Sequence, residues 1–169
     1  LIVSYLGVKT PESISFDSSD SKIFTIVSCS NLYPLKRVDL IIESLSVLNS
    51  RRKIRWLHFG DGPLRTNLQD IAEIRLGSKE NIGYEFKGQI PNSEIIKFYT
   101  NNKVDLFLNA SSSEGIPVSI MEAQSFGTPV IATDTGGVSE LVAPGTGFLL
   151  PVNFKPEDLA EKIFLFLNM

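Results

Sequence analysis

The sequence predicts an α/β protein with a Rossmann-like, doubly wound parallel sheet of about six strands. Two observations carry this prediction. Short apolar runs alternate along the chain with amphipathic stretches, as expected where strands alternate with helices. Each strand-like run is apolar throughout, which is typical of parallel strands buried on both faces. Ligands of such sheets bind outside the carboxyl ends of the strands, where the strand order reverses.

The elements of the first half follow from apolar runs and helical spacing. Strands are predicted over residues 23–28, 54–59 and 84–87. Helices are predicted over residues 36–49, 64–76 and 92–101. Asn92 or Ser93 is expected to cap the third helix, because short polar side chains satisfy the first free N–H groups of a helix.

The second half repeats the alternation. Strands are predicted over residues 104–109, 129–132 and 147–150. Helices are predicted over residues 117–126, after Gly137, and over residues 156–167. Pro117 stands at or near the first position of its helix, where a missing N–H is harmless, and Gly127 ends that helix.

Composition narrows the class of protein. The 169 residues are 43% hydrophobic and 21% charged, a balance typical of a globular domain. The net charge is −3 and the basic residues are scattered, so no nucleic-acid surface is expected. The single cysteine, Cys29, cannot form an internal disulfide and is expected to be a buried structural thiol.

The ends of the chain suggest a fragment. It begins with leucine and ends inside an apolar helical pattern, and neither a secretory signal nor a membrane span is visible. Residues 1–22 are expected to form a connector from a missing N-terminal domain, and residues 23–169 a ligand-binding domain. A cytoplasmic location is expected, possibly at the inner face of a membrane.

Several common sites are missing from the sequence. Gly60 and Gly62 begin a dinucleotide fingerprint, but Arg65 occupies the position of its last glycine. No phosphate-binding P-loop occurs, and no metal site is expected from one cysteine and one histidine. That histidine, His58, lies in a predicted strand and is expected to be a core residue with a hydrogen-bond partner.

A phosphate site is predicted where the chain leaves the fourth strand and enters the next helix. Gly115 lets the backbone turn tightly and approach a ligand closely. The N–H groups of Val118, Ser119 and Ile120 are expected to point out of the helix N-terminus after Pro117. Such an end carries partial positive charge and suits a phosphate.

Two carboxylates flank this phosphate site. Glu114 precedes it, and Glu122 lies just over one turn inside the helix. A phosphate would repel both, so they make sense as acceptors for hydroxyl groups of the same ligand. A sugar nucleotide has hydroxyls on both sides of its phosphates and fits this arrangement. A second candidate is Lys36, which follows the first strand and would be either a phosphate ligand or an exposed side chain without a partner.

Together these residues resemble the retaining glycosyltransferases of family 4, or group 1, which have the GT-B fold. The family pattern is Glu-x7-Glu followed by Ala-x-x-x-Gly-x-Pro-Val-Ile-Ala-Thr. It matches here Glu114, Glu122, Ala123, Gly127, Pro129, Val130, Ile131, Ala132 and Thr133. Further matches are the turn over residues 60–63 and the segments 86–90 and 136–142.

The resemblance implies a role for each matching residue. Glu122 would hold the ribose hydroxyls and Glu114 the donor-sugar hydroxyls, while Lys36 would neutralise the leaving diphosphate. Glu114 and Lys36 would be the catalytic residues. The nucleotide-sugar site would comprise Asn31, Lys36, Gly88, Gln89, Ile90, Glu114, Gly115, Ile116, Pro117, Val118, Ser119 and Glu122. Residues near Lys87 to Ile90 would line the base pocket, and no metal or other cofactor is implied.

The chain departs from the family at one site position. The family usually has Gly-Arg-Leu before the lysine, with the arginine on the diphosphate, whereas this chain has Ser30, Asn31 and Leu32. The resemblance further implies a nucleotide-diphosphate sugar as donor and a missing N-terminal acceptor domain as partner. A role in polysaccharide or glycolipid synthesis, with peripheral membrane contact of the parent enzyme, would follow. The fragment alone is expected to be inactive.

Two other functions fit the fold. One is an epimerase-like GT-B enzyme acting on a sugar nucleotide without transfer, which would need a catalytic acid–base set in this half. The other is a non-catalytic nucleotide-binding module, for which Asn31 is the only hint. A dehydrogenase is disfavoured by the missing third glycine.

Overall fold

The computed structural model describes residues 7, 8, 11 and 22–168 of the chain. The predicted connector over residues 1–22 therefore falls almost entirely outside the described residues. Within them, six parallel strands form one sheet in the order β3-β2-β1-β4-β5-β6. The strands are β1 (Ile23–Cys29), β2 (Lys53–Phe59), β3 (Ile82–Gly88), β4 (Leu106–Asn109), β5 (Val130–Thr133) and β6 (Gly147–Leu150). This strand order is that of a Rossmann fold and confirms the predicted fold class.

Helices cover both faces of the sheet. They are α1 (Val38–Val47), α2 (Arg65–Leu76), α3 (Asn92–Asn101), α4 (Val118–Ser125), α5 (Val138–Leu141) and α6 (Pro156–Leu167). The buried side chains of α1, α2 and α6 belong to one apolar cluster, and those of α3, α4 and α5 to a second. The strands contribute alternate side chains to both clusters, as Ile26 and Val27 do from β1. The sheet is thus doubly wound, because each of its faces has its own core.

The predicted and observed elements differ most at the first helix. Helix α1 begins at Val38 rather than at residue 36, because Arg37 adopts a left-handed backbone with φ 47. A short 3-10 turn, Pro34–Lys36, precedes it. Lys36 therefore ends this turn instead of starting the α-helix. By contrast, α3 and α6 have the predicted limits, since their apolar spacing is regular and proline precedes or begins each of them.

Two predicted helix starts need correction. Neither Asn92 nor Ser93 caps α3: the N-cap residue is Pro91, and no side chain caps the helix. The Asn92 side chain instead reaches Glu122 on α4. Pro117 is the extended N-cap residue of α4 rather than its first helical residue. Its carbonyl consequently accepts the first hydrogen bonds of that helix, from Ile120 and Met121.

A buried polar cluster lies inside the core on β1 and β2. The hydroxyl of Ser28 accepts a hydrogen bond from Trp56 Nε1 at 2.9 Å and lies 2.8 Å from His58 Nδ1. His58 Nε2 lies 3.0 Å from the carbonyl oxygen of Ser30. Because a carbonyl only accepts, the proton belongs on Nε2, and Nδ1 accepts from Ser28. His58 is fully buried, as predicted for a core histidine with a partner.

The titration of His58 predicts how stability depends on pH. Burial lowers the pKa of His58 from 6.5 to about 4. Between these values the unfolded chain binds a proton that the folded chain does not, so stability falls as the pH falls. Between pH 7 and pH 5 we expect a loss of about 2 kcal/mol in the free energy of unfolding. Urea unfolding of the wild type and His58→Gln at both pH values measures it.

His58→Gln is a suitable control because His58 is the only histidine in the chain, so the variant has no histidine that could titrate. His58→Gln should be less stable at pH 7, since it disturbs the buried cluster, but it should lose much less stability than the wild type between pH 7 and pH 5. Equal losses in the two proteins would show that His58 titrates normally.

Candidate active site

The loops that follow β1 and β4 meet at the carboxyl edge of the sheet and enclose a cavity of about 460 Å³. These strands are neighbours, and the strand order reverses between them. The cavity is lined by Cys29, Ser30, Asn31, Lys36, Phe59, Gly60, Gln89, Ile90, Ile95, Glu114, Ile116, Pro117, Val118 and Ser119. Nine of the twelve residues predicted for the site therefore line one cavity: Asn31, Lys36, Gln89, Ile90, Glu114, Ile116, Pro117, Val118 and Ser119.

An ion pair crosses the cavity between these two loops. Lys36 Nζ donates to Glu114 Oε1 at 2.8 Å, and the side chains are 21% and 11% exposed. Asn109 Nδ2 donates to the same oxygen at 3.1 Å. Burial by itself would raise the pKa of Glu114, but hydrogen bonds from Lys36, Ser111 and Asn109 together hold it below its ordinary value. Glu114 is thus a carboxylate at neutral pH, oriented by an amine and an amide.

The N-terminus of α4 opens beside this ion pair. No described residue accepts a backbone hydrogen bond from the N–H of Val118 or Ser119, so both donors are available. Ile120 was predicted to be a third free donor, but its N–H is bound to the Pro117 carbonyl at 3.1 Å. A methyl group on Gly115 would meet no atom within 4 Å, so the backbone there is open to a ligand. The chain bends at Gly115, as predicted, although the φ of this glycine is not positive.

A further turn, at Gly136, packs against the Glu114 loop. Gly136 has φ 56, and a Cβ atom there would collide with the carbonyl of Glu114. The next residue, Gly137, donates its N–H to the Gly115 carbonyl at 2.8 Å. The backbones of the two loops therefore pack directly on each other, which requires glycine at position 136.

A second glycine turn supports the loop after β1. A Cβ atom on Gly60 would collide with the carbonyl of Ser30, and one on Gly62 would lie 2.7 Å from the Leu32 carbonyl oxygen. Leu32 N–H in turn donates to the Asp61 carbonyl at 2.9 Å. These glycines thus hold the Asn31 loop through backbone contacts. Gly60 also lines the cavity, whereas Gly62 packs against the Leu32 backbone.

Arg37 is a structural residue of the site that the sequence prediction missed. Its guanidinium donates to the carbonyl of Ala110 at 2.6 Å, to the carbonyl of Val152 at 2.5 Å and to Thr133 Oγ1 at 3.1 Å. It also lies 5.1 Å from the ring centre of Phe154. One side chain therefore ties the loop after β1 to the ends of β4, β5 and β6. An arginine after a lysine gives no local signal of this, because its partners are backbone groups far along the chain.

Three predicted site residues lie outside the cavity wall. Gly88 is buried with φ 73, a left-handed backbone that favours glycine, and a Cβ atom there would lie 2.8 Å from Arg65 Nη1. Gly115 lies beside the wall without lining it. Glu122 is only 7% exposed and accepts a hydrogen bond from Asn92 Nδ2 at 2.6 Å. Asn92 is the second residue that sequence reasoning missed, because the contact joins two different helices.

Cys29 differs from its predicted role. It is half-buried and lines the cavity instead of lying inside the core. Burial, reinforced by the negative charge of Glu122, raises the pKa of the thiol to about 11. The thiol is therefore protonated at neutral pH and forms an uncharged part of the cavity wall.

The described residues contain no group of three or more His, Cys, Asp or Glu side chains placed to hold a metal ion. Within the same part of the chain, no helix combines the length and apolar character needed to cross a membrane.

The strand order and the cavity at its reversal define a Rossmann-like α/β ligand-binding domain. The chain belongs to the glycosyl transferases group 1 family, whose model matches residues 11–169. It is 29% identical over 168 residues to an uncharacterized glycosyltransferase of Methanocaldococcus jannaschii, covering 99% of this chain and 44% of the relative. It is 32% identical to a GDP-mannose-dependent alpha-mannosyltransferase of Mycolicibacterium smegmatis, covering 66% of this chain and 27% of the relative.

Solved structures share the fold. The apo form of the lipopolysaccharide outer core galactosyltransferase WaaB superposes with a TM-score of 0.81 at 21% identity, covering 99% of this chain and 46% of that one. Anabaena HepE in complex with UDP and glucose superposes with a TM-score of 0.69 at 24% identity, covering 86% of this chain and 39% of that one. The chain spans less than half the length of these relatives and structures. It is a glycosyltransferase domain with the Rossmann-like half of the GT-B fold.

We expect Arg37→Ala to destabilise the domain by about 2–4 kcal/mol. The buried carbonyl of Ala110 would lose a charged donor, and the ends of β4, β5 and β6 would lose the side chain that hydrogen-bonds to all three. The matched control is Arg55→Ala. Arg55 makes a single ion pair of 3.5 Å with Glu85, and both side chains are about half exposed. Its loss should cost less than about 1 kcal/mol. Chemical unfolding of both variants measures the difference in their free energies of unfolding. Equal losses would show that Arg37 does not hold the strand ends together.

Proposed function

We propose that this chain is the donor-binding domain of a retaining glycosyltransferase of family 4. The parent enzyme would transfer a hexose from a nucleotide-diphosphate sugar to an acceptor hydroxyl. The observation that carries the proposal is the position of the Lys36–Glu114 ion pair, whose atoms lie 2.8 Å apart beside the open N-terminus of α4. A cation, two free N–H groups and an oriented carboxylate then face the same cavity.

The chemistry proposed for this cavity is electrostatic. When the bond between the anomeric carbon and the diphosphate oxygen breaks, negative charge develops on the leaving diphosphate. Lys36 and the N–H groups of Val118 and Ser119 would stabilise that charge, and the fixed dipoles need no rearrangement to do so. These groups supply the positive charge that a metal ion would otherwise provide, so we propose that no metal is needed.

The carboxylates would recognise the two sugars of the donor. Glu114 would accept hydrogen bonds from hydroxyls of the transferred sugar, because it is charged and faces the cavity. Glu122 would accept hydrogen bonds from the ribose, and Gln89 and Ile90 would line the base. Asn31 replaces the arginine expected from the family with a neutral donor, so Lys36 would carry the larger share of the diphosphate interaction.

The acceptor site would lie in a second domain of the parent enzyme. The chain covers less than half of the length of its relatives, which supports this division. We propose that the isolated chain binds nucleotide weakly and catalyses no transfer. A cytoplasmic parent enzyme in polysaccharide or glycolipid synthesis, in contact with the inner face of a membrane, is the context we propose.

Calorimetric titration with UDP, GDP and ADP tests the proposal. These nucleotides are chosen because one similar structure contains UDP and one relative uses GDP-mannose. We expect one nucleotide to bind, and Glu122→Ala to weaken it by roughly 1.5–3 kcal/mol through the loss of charge-assisted hydrogen bonds.

Glu161→Ala is the matched control, because the Glu161 side chain is 67% exposed on α6. This variant should bind like the wild type. A folded chain that binds none of the three nucleotides at millimolar concentration would contradict the donor site in this domain. Transfer by the isolated chain would contradict the proposed need for a second domain.

A further inference from the structure

Glu122 is held by one residue from a neighbouring helix. Asn92, the first residue of α3, donates from Nδ2 to Glu122 Oε1 at 2.6 Å. No other side chain among the described residues donates to this carboxylate. Glu122 is only 7% exposed, so its orientation depends on a contact between helices that are far apart in the sequence.

The side chain of Asn92 does not cap its own helix. The N-cap residue of α3 is Pro91, and no side chain caps the helix. Asn92 is the first helical residue, and its amide is directed to Glu122 on α4.

The second oxygen of Glu122 remains available. Oε2 accepts no hydrogen bond from any described residue. Among the described side chains, Tyr99 Oη is the only polar atom that is both enclosed and without a partner, so Oε2 is not fully enclosed. One oxygen is therefore held by Asn92, and the other has no partner among the described residues.

The type of donor also matters. Lys36 pairs its positive charge with Glu114, whereas the donor to Glu122 is an uncharged amide. A carboxylate is a strong acceptor for hydroxyl groups. The amide can therefore orient Glu122 without placing a cation beside a carboxylate that binds sugar hydroxyls.

We propose that Asn92 is the positioning residue for ribose recognition: it holds Oε1 of Glu122 so that Oε2 meets a ribose hydroxyl of the donor nucleotide. This inference rests on the proposed function, in which Glu122 binds the ribose. Asn92 selects ribonucleotides over deoxyribonucleotides through Glu122, without being a catalytic residue.

The test measures sugar discrimination instead of affinity alone. The 169-residue chain is titrated with UDP and GDP and with the 2′-deoxy and 3′-deoxy forms of each. We expect the wild type to prefer a ribonucleotide over at least one of its deoxy forms by roughly tenfold or more. Asn92→Ala should lose most of this preference, with the affinity for that deoxy form unchanged. A purely structural role would weaken all nucleotides equally.

Two further variants complete the design. Asn92→Asp replaces the donor with a carboxylate of similar size that repels Glu122, so it should also lose the preference. Ser93→Ala changes the next exposed residue of α3 and should keep it. Thermal unfolding of each variant identifies any that fails to fold, and the exposed position of Asn92 favours folded variants.

Each outcome has a distinct meaning. If Asn92→Ala keeps the ribose preference of the wild type, the positioning role is overturned and the donor site stands. If Asn92→Ala binds ribonucleotides more tightly, the amide competes with the ligand, and the positioning role is again overturned. If the wild type binds ribose and deoxyribose nucleotides equally, the ribose role of Glu122 fails, and the role of Asn92 fails with it.

Discussion

Strands β1 and β4 lie side by side in the sheet although β2, β3 and three helices separate them in the chain. The next elements of the chain leave these two strands in opposite directions, since β2 and β5 extend the sheet on opposite sides. A crevice must open where the two connections part. The cavity of this domain depends on that separation. The Lys36 loop forms one wall of the cavity, and the Glu114 loop with the start of α4 forms the other.

Two carboxylates at this end of the sheet have different surroundings. Glu114 lines the crevice and pairs with Lys36 across it, and despite its burial three hydrogen-bond donors hold its pKa below the ordinary value. Glu122 lies outside the crevice wall and accepts a hydrogen bond from the neutral amide of Asn92. The difference arises from the elements that supply the donors: a loop at the switch point for Glu114 and a helix start for Glu122.

The sequence was sufficient to predict the elements and most of the cavity wall. Buried parallel strands and amphipathic helices are local patterns, so the six strands and the limits of α3 and α6 followed from apolar spacing. The glycine and proline around α4 likewise marked a helix start at the end of a strand. Lys36 and Glu114 were predicted at two different junctions between a strand and a helix, and the strand order brings these junctions together.

The remaining features depend on contacts between distant segments. Arg37 has a positive φ, which is uncommon for arginine, and its partners are carbonyl and hydroxyl oxygens that no spacing rule identifies. Asn92 was expected to cap its own helix, a local rule that gave way to a tertiary contact with Glu122. Gly136 is a different case from Arg37 and Asn92. Two consecutive glycines indicate a turn in the sequence, but the sequence does not show that this turn packs against the Glu114 loop.

The reach of Arg37 also has a consequence for how this domain folds. Its three acceptors lie 73, 96 and 115 residues further along the chain. Such contacts are slow to form, because the entropy of closing a long loop is lost before the contact stabilises the chain. During synthesis from the N-terminus, the hydrogen bond from Arg37 to the Val152 carbonyl cannot form until the segment that follows β6 has emerged. The loop after β1 therefore has all three of its contacts with the other strand ends only when the last strand of the sheet is present.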